Sequence, residues 1–239
     1  MKAVLCGANG AMGKLIDGIL ADAVVGRVSL DGENGVPKTF AELGKVDADV
    51  VIDFSHHTAI ADVLAYAKGI GAAAVIGTTG HTAEEKERIF TAAKEIPVFF
   101  SGNMSLGIAV LCRLAKQAAA AFPDADIEIV EAHHTRKVDA PSGTALMLFN
   151  AIKEVRPEAV PNCGRSGEGK RTKEEIGIHA LRMGNVVGIH EIHIHTANQS
   201  LTLKHESGSR AMLADGGVAA ARFMVGKPAG FYNMENMLD

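Results

Sequence analysis

Cysteine is scarce in this chain, and long apolar runs and basic clusters are missing. Only three cysteines occur among 239 residues, at Cys6, Cys112 and Cys163. So few thiols, so far apart, fit reduced cysteines in a cytoplasmic protein better than a disulfide frame. Nor does their spacing build a zinc site. No apolar run reaches the ~20 residues needed to span a bilayer. The first residues read as a strand, not as a signal peptide. A cytoplasmic setting without a membrane partner is therefore expected. The formal net charge is −4 and no basic stripe is visible, which argues against nucleic acid as the main partner. Internal repeats and low-complexity tracts are absent. The 47% of hydrophobic residues is enough for one large or two modest domains with real cores.

What is present is concentrated in residues 131–145, Glu-Ala-His-His-Thr-Arg-Lys-Val-Asp-Ala-Pro-Ser-Gly-Thr-Ala. An alternating segment, Asp126 to Val130, precedes them and reads as a strand. An apolar helix begins at Ala145-Leu146-Met147-Leu148-Phe149. The strand thus delivers His133, His134, Arg136 and Lys137 into a loop that ends in Ser142-Gly143-Thr144 at a helix N-terminus. The first amides of a helix lack intrahelical partners, and the helix dipole favours an anion there. Gly143 admits an anion close to the backbone, Thr144 adds a hydroxyl, and Lys137 and Arg136 add charge. A carboxylate or phosphate is the natural guest, and His133 or His134 can donate a proton near neutral pH. The plainer alternative is that Ser142 only caps its helix and the histidines are solvated.

A second pattern lies at the start. Lys2 to Cys6 is a short apolar strand running into Gly7-Ala8-Asn9-Gly10-Ala11-Met12-Gly13. A helix follows whose apolar face includes Leu15, Ile16, Ile19 and Leu20. Strand, glycine turn and helix form the opening unit of a dinucleotide-binding fold. The G-x-x-G-x-x-G spacing serves the same ends as the commoner form: a tight turn, close approach to a pyrophosphate, and close helix packing. Asp31 ends the run Val28-Ser29-Leu30 at the distance expected of a carboxylate on an adenine ribose; a surface turn residue is the alternative.

Further apolar strands, at 49–55, 73–76 and 97–100, end in small polar turns. Ligands in open α/β sheets collect at such carboxyl ends. Gly77-Thr78-Thr79-Gly80 suits a backbone lying against a nicotinamide ribose, although ordinary turn chemistry also explains it. Thr58 to Lys68 reads as a helix ended by Gly69, and Thr82 with Glu85 as a capping box. A helix over roughly 106–121 opens a second domain. Its strands are expected at 126–132, 186–196 and 200–206, with a 142–155 helix between. Residues 160–177 read as a mobile surface loop, and Asp215 to Val225 as a last helix. His193 and His195 share one strand face. With only Glu191 nearby, a polar sheet face is the better reading than a metal site. His56-His57 reads as exposed.

These motifs carry a resemblance over essentially the full length. The glycine turn at 7–13, Gly77-Thr78-Thr79-Gly80, Asn103-Met104-Ser105, the 131–145 block and Ser209-Arg210 together resemble the 4-hydroxy-tetrahydrodipicolinate (dihydrodipicolinate) reductase family of the diaminopimelate–lysine route. The His-His-x-x-Lys-x-Asp-Ala-Pro-Ser-Gly-Thr stretch is specific to it. The resemblance implies a Rossmann-type parallel-sheet nucleotide domain from 1–104 and 209–239. It implies a second α+β domain with an open mixed sheet from 105–208, which binds substrate and builds a homotetramer. His133 would be the general acid and Lys137 a catalytic and substrate-binding residue. His134, Ser142, Gly143 and Thr144 would join Lys137 in holding a small cyclic dicarboxylate lying between domains that close over it. Gly7, Ala8, Asn9, Gly10, Ala11, Met12, Gly13 and Asp31 would hold the adenine and pyrophosphate half of reduced NAD or NADP. Gly77, Thr78, Thr79, Ser101, Asn103, Met104 and Arg210 would lie toward its nicotinamide end. Hydride would go to the ring carbon that becomes C4, and the proton would follow from His133.

Two departures from the family pattern matter. Ala11 stands where an arginine is common, and Ile189 replaces the glutamate of a Gly-Glu-His stretch; that strand receives no catalytic role here. Acidic Asp31, with Gly32 and Glu33 beside it, predicts that NADH binds at least as well as NADPH. Lys38 is the one cation that the loop could fold back over the ribose. A related amino-acid dehydrogenase, a nucleotide sensor without turnover and a structural oligomer are the competing readings.

Overall fold

The structure, a computed structural model, describes residues 1–239. The chain divides into two compact units, Met1–Ser105 with Ala211–Asp239, and Leu106–Arg210. In chain order the first unit opens with β1 (Ala3–Cys6), α1 (Ala11–Leu20), β2 (Val24–Val28), α2 (Phe40–Leu43), β3 (Val50–Asp53), α3 (Ile60–Ile70), β4 (Ala73–Ile76), α4 (Ala83–Ala92) and β5 (Pro97–Phe100). The second unit holds α5 (Leu106–Ala121), β6 (Asp126–His133), α6 (Gly143–Lys153), β7 (Val160–Cys163), β8 (Glu175–Arg182), β9 (Ile189–His195) and β10 (Ser200–Glu206). The first unit is completed by α7 (Ala211–Met224) and β11 (Gly230–Tyr232).

Six parallel strands in the order β11-β5-β4-β3-β1-β2 make the first sheet. β1, β3 and β4 are buried along their whole length, which is why they read as unbroken apolar runs instead of alternating ones. The chain order reverses between β1 and β3, and the carboxyl ends on either side of that switch point are where ligands gather in such sheets. This is a Rossmann-like α/β architecture. Thr82 and Glu85 form the expected reciprocal capping box at α4.

Several boundaries differ from expectation, each for a local reason. On α1, Ile16 and Leu20 are buried with Gly13, whereas Leu15 and Ile19 are exposed. A 3.6-residue repeat puts 16 and 20 on the row facing the sheet and 15 and 19 on the next. β2 ends at Val28, its last partner on Cys6 of β1. Ser29 to Asp31 instead turn away, with the Gly32 amide on the Ser29 carbonyl at 2.9 Å. α3 passes through Gly69 and stops at Gly71, which takes φ 72° and donates back to Ala67 and Lys68. α7 starts at Ala211, four residues before Asp215.

The second unit is a five-stranded mixed sheet in the order β10-β9-β6-β8-β7. β10, β9 and β6 are antiparallel, while β6, β8 and β7 are parallel. Residues 160–177 are not a single loop, because β7 opens the stretch and β8 begins inside it. The two-residue period of Ile176 and Ile178 was hidden behind the charged residues before it. Both isoleucines pack with Ile127, Ile129, Ile192 and Ile194 against Leu111 of α5 and Leu148 and Phe149 of α6. Alternate residues face the other way. There His179 meets Glu128 at 2.8 Å, and Glu191 meets His193 at 3.3 Å and Lys204 at 3.2 Å. No helix is long and apolar enough to cross a membrane.

Candidate active site

In the first unit the glycine turn sits at the switch point. The Gly7 and Ala8 amides both donate to the Val28 carbonyl, at 2.8 and 3.2 Å. Gly7 has φ +84°, and a Cβ there would lie 2.8 Å from the Phe54 carbonyl carbon and 2.9 Å from Ser55 Cα. The Phe54 ring also covers Gly77, so the turns after β1, β3 and β4 are packed on one another. Helix α1 begins at Gly10 with no side-chain cap and no acidic residue in its first turn. Its leading amides are therefore left for an anion.

Asn9 donates to Asp31 at 2.6 Å, and the Glu33 amide donates to the same oxygen at 3.0 Å. The Asn9 hydrogen bond, followed by that of Glu33, holds the Asp31 carboxyl below its ordinary range. The Lys38 stem folds against Gly32, next to this carboxylate. On the opposite side, Thr78 is buried and accepts the Ser55 amide at 2.9 Å, whereas Thr79 is exposed. Ser101 donates to the Asn103 carbonyl at 2.7 Å, and Asn103 Oδ1 accepts from the Ser105 amide at 2.8 Å. Met104 is buried, and a Cβ on Gly216 of α7 would overlap its carbonyl oxygen. Burial pushes the Cys6 thiol up to about 12, so this cysteine is inert. None of the three cysteines forms a disulfide.

In the second unit β6 ends on His133, which is 9% exposed. Its Nδ1 donates to Glu131 Oε2 at 2.6 Å, which leaves Nε2 as the nitrogen that can exchange a proton. Lys137 pairs with Asp139 at 2.7 Å. α6 starts at Gly143, where an added Cβ would meet nothing within 4 Å. Ser142 is the N-cap, 1% exposed, with its hydroxyl accepting from the Ala145 amide at 3.2 Å. The plainer alternative thus describes that hydroxyl. Arg136 is occupied by Asn185 at 2.9 Å.

His134 lies beside Arg210, whose Nη2 donates to His134 Nε2 at 3.3 Å. Burial, then Arg136 and Arg210, lowers the His134 pKa. Arg210 is the last residue of the second unit, and its observed partner, His134, belongs to the same unit. His56 and His57 differ in setting: His57 Nδ1 reaches Glu85 at 2.9 Å. No group of three or more His, Cys, Asp or Glu side chains is arranged to hold a metal ion.

Three residues around His133 carried no role in the sequence. Glu131 is fully buried, Arg182 grips its carboxylate, and His190 packs edge-on to the His133 ring at 5.1 Å between centroids. Strand parity alone places Glu131 and His133 on one face. No sequence signal points to Arg182, and His190 stands out only as the histidine of the Gly188-Ile189-His190 stretch.

Residues 1–104 match the N-terminal domain of dihydrodipicolinate reductase, and residues 107–238 match its C-terminal domain. The chain belongs to the dihydrodipicolinate reductase family. The 4-hydroxy-tetrahydrodipicolinate reductase of Clostridium tetani is 40% identical over 100% of this chain and 97% of its own length. That of Caulobacter vibrioides is 41% identical over 100% and 97%. The solved structure of dipicolinate-bound dihydrodipicolinate reductase from Paenisporosarcina sp. TG-14 shares the fold, with a TM-score of 0.79 at 24% identity over 99% and 98% of the two chains. Family membership implies a nicotinamide cofactor for this chain. The residues present fit that group: α1 offers uncapped amides, and the turn is held where a side chain cannot stand.

Proposed function

We propose that this chain catalyses the NAD(P)H-dependent reduction of 4-hydroxy-tetrahydrodipicolinate (dihydrodipicolinate) to tetrahydrodipicolinate, in the diaminopimelate route to lysine. The observation that carries the reading is His133 fixed by Glu131 at the end of β6, shortly before Lys137 and on the strand that leads to Gly143 at the start of α6, where an added Cβ would meet nothing within 4 Å. Full-length relatedness to named reductases supports it. The bound nicotinamide supplies a hydride. Gly143, Thr144 and Lys137 hold one carboxylate of the cyclic substrate, with His134 beside them and Ser142 fixing the start of α6. His133 gives its Nε2 proton to the reduced substrate and keeps its Nδ1 proton, hydrogen-bonded to Glu131. Gly7 to Gly13 would cradle the cofactor pyrophosphate and Asp31 would face its adenine ribose. Gly77, Thr78, Thr79, Ser101, Asn103, Met104 and Arg210 would hold the nicotinamide end of the cofactor.

Asp31 is kept ionised, and Ala11 offers no guanidinium, so a 2′-phosphate meets repulsion there. NADH therefore binds at least as well as NADPH, with the folded-back Lys38 as the group that narrows the gap. The polar face of the mixed sheet, rich in Glu128, His179, Glu191 and His193, is the contact of a homotetramer, and the protein is cytoplasmic. The test of function is loss of NADH absorbance with substrate freshly formed from pyruvate and aspartate semialdehyde. Cofactor oxidation no faster than in the enzyme-free mixture would sink the reading. Sedimentation in solution checks the tetramer; a monomer at assay concentration rules it out.

A further inference from the structure

The register of the second sheet sets one row of titratable residues side by side. Glu131 of β6 stands opposite His190 of β9, and His190 opposite His205 of β10. His133, two residues beyond Glu131, stands opposite Arg182 at the end of β8. Glu131 is fully buried, and both its oxygens are doubly satisfied. Oε1 accepts from the Ser142 amide at 3.0 Å and Arg182 Nη2 at 2.8 Å. Oε2 accepts from His133 Nδ1 at 2.6 Å and Arg182 Nη1 at 2.9 Å. An ionised carboxylate has about four lone-pair sites, and all are used. This carboxylate cannot rotate without breaking a buried bond.

We propose that Glu131, locked by Arg182, is the positioning residue for His133: it holds the Nδ1–H and fixes the ring so that Nε2 alone faces outward. The inference rests on His133 being the acid, as proposed above. Arg182 Nη2 also donates to the Asp139 carbonyl at 2.6 Å, and Asp139 pairs with Lys137. One guanidinium thus ties the acid to the loop that carries the lysine. The setting supports an ionised carboxylate. Burial works to raise the Glu131 carboxyl, but hydrogen bonds from Arg182, His133 and Ser142 outweigh it and hold it low.

His190 supports the same division of charge. It is buried, pushed down to about 4 first by burial and then by His133, and its Nε2 lies 3.3 Å from Ser142 Oγ. A neutral imidazole there packs against His133 without competing for its proton. Gly188 sits close to His133 Nε2, 3.2 Å from where a Cβ would stand, so a side chain there would crowd the reactive nitrogen.

The test compares full-length Glu131→Gln, His133→Gln and the double variant by kcat, KM and the pH profile of kcat/KM. Glu131→Gln is expected to cut kcat at least about tenfold, since removing the carboxylate that orients a catalytic histidine can cost up to ~10⁴-fold, with substrate KM changed far less. Its alkaline limb moves to lower pH, because the variant loses an anion and leaves the Arg182 cation uncompensated. The double variant is no slower than His133→Gln, because Glu131 acts through His133. A wild-type kcat and limb in Glu131→Gln overturn the inference, as do multiplicative losses in the double variant. If His133→Gln itself turns over normally, the general-acid reading falls and this inference falls with it; a slow His133→Gln beside a normal Glu131→Gln condemns the positioning role alone. Should Glu131→Gln fail to fold, Glu131→Asp keeps the charge and withdraws it by one methylene. A lowered kcat with an unmoved limb then supports positioning, and an unchanged kcat overturns it.

Discussion

Gly13 lies in the first turn of α1 and Gly143 opens α6, and their surroundings are opposite, so the same substitution should do different things. At Gly13 a methyl would overlap the Gly7 carbonyl oxygen and lie 2.8 Å from both Ala8 Cα and its carbonyl carbon. These are backbone atoms of the turn itself and have no rotamer to move to. Gly13→Ala must therefore push α1 off β1 or distort the turn. Overpacking of this kind costs about 1–3 kcal/mol, which at about 2–4 °C per kcal/mol for a chain of this size lowers the unfolding midpoint by several degrees. Because the displaced turn is the proposed pyrophosphate cradle, NADH affinity should fall as well. At Gly143 nothing lies within 4 Å of the added methyl, so Gly143→Ala leaves the folded chain unstrained. Alanine there gains up to about 0.5–1 kcal/mol over glycine in a helix. The methyl projects where a substrate carboxylate is proposed to approach the amides, so KM should rise while the unfolding midpoint holds. Thermal unfolding by circular dichroism, NADH titration and substrate KM on both variants give the answer. A Gly13→Ala protein as stable as wild type refutes the packing argument, and a Gly143→Ala enzyme with normal KM removes α6 from carboxylate binding.

Other predictions follow from the same geometry. Lys137→Ala should raise KM and lower kcat, and Thr144→Val should raise KM alone; equal kcat in Lys137→Ala and wild type removes the lysine from catalysis. Pyridine-2,6-dicarboxylate, a planar dicarboxylate, should compete with substrate, and competition with nucleotide instead misplaces the pocket. Asp31→Ala should shift the preference toward NADPH in cofactor titrations; a wild type that already binds NADPH far more tightly, unaltered by the change, shows that this carboxylate does not read the ribose. His190 is held neutral at about 4 in the fold against roughly 6.5 when unfolded. The unfolded chain thus binds the extra proton between those values, and stability is full above pH 6.5 and is lost as pH falls toward about 4. The gap is worth up to ~3 kcal/mol, so His190→Phe should flatten the acid side of the stability curve. An unchanged slope counts against it.

What the sequence made legible was local. The glycine turn, the capping box and the Ser142 cap are set by residues within a turn of one another, and the structure shows them where the spacing puts them. The parallel sheet followed from short apolar runs at regular intervals. Errors arose where a signal was ambiguous at short range. Gly69 reads as the helix stop, but the chain passes through it and ends at Gly71, the glycine that takes the left-handed φ. β8 was lost because its two buried isoleucines follow a run of charge.

The rest of the site was hidden because it is made by strand register, which no local pattern encodes. Arg182 meets Glu131 across 51 positions of chain, and His190 reaches Ser142 across 48. In the sequence His190 belongs to an apparent histidine run with His193 and His195. In the sheet, the two-residue period sends it to the opposite face from both. Three alike residues thus divide into one buried beside the proposed acid and two on a polar surface. A one-residue slip of β9 on β6 would reverse that assignment. The antiparallel pairing of Ile192 and Ile194 with Ile129 and Ile127 opposes such a slip, since it would expose both isoleucines. The apolar residues of these strands therefore do more than build the core. By fixing register they also decide which histidine stands next to His133, and a core substitution at Ile192 should be felt first as a loss of turnover.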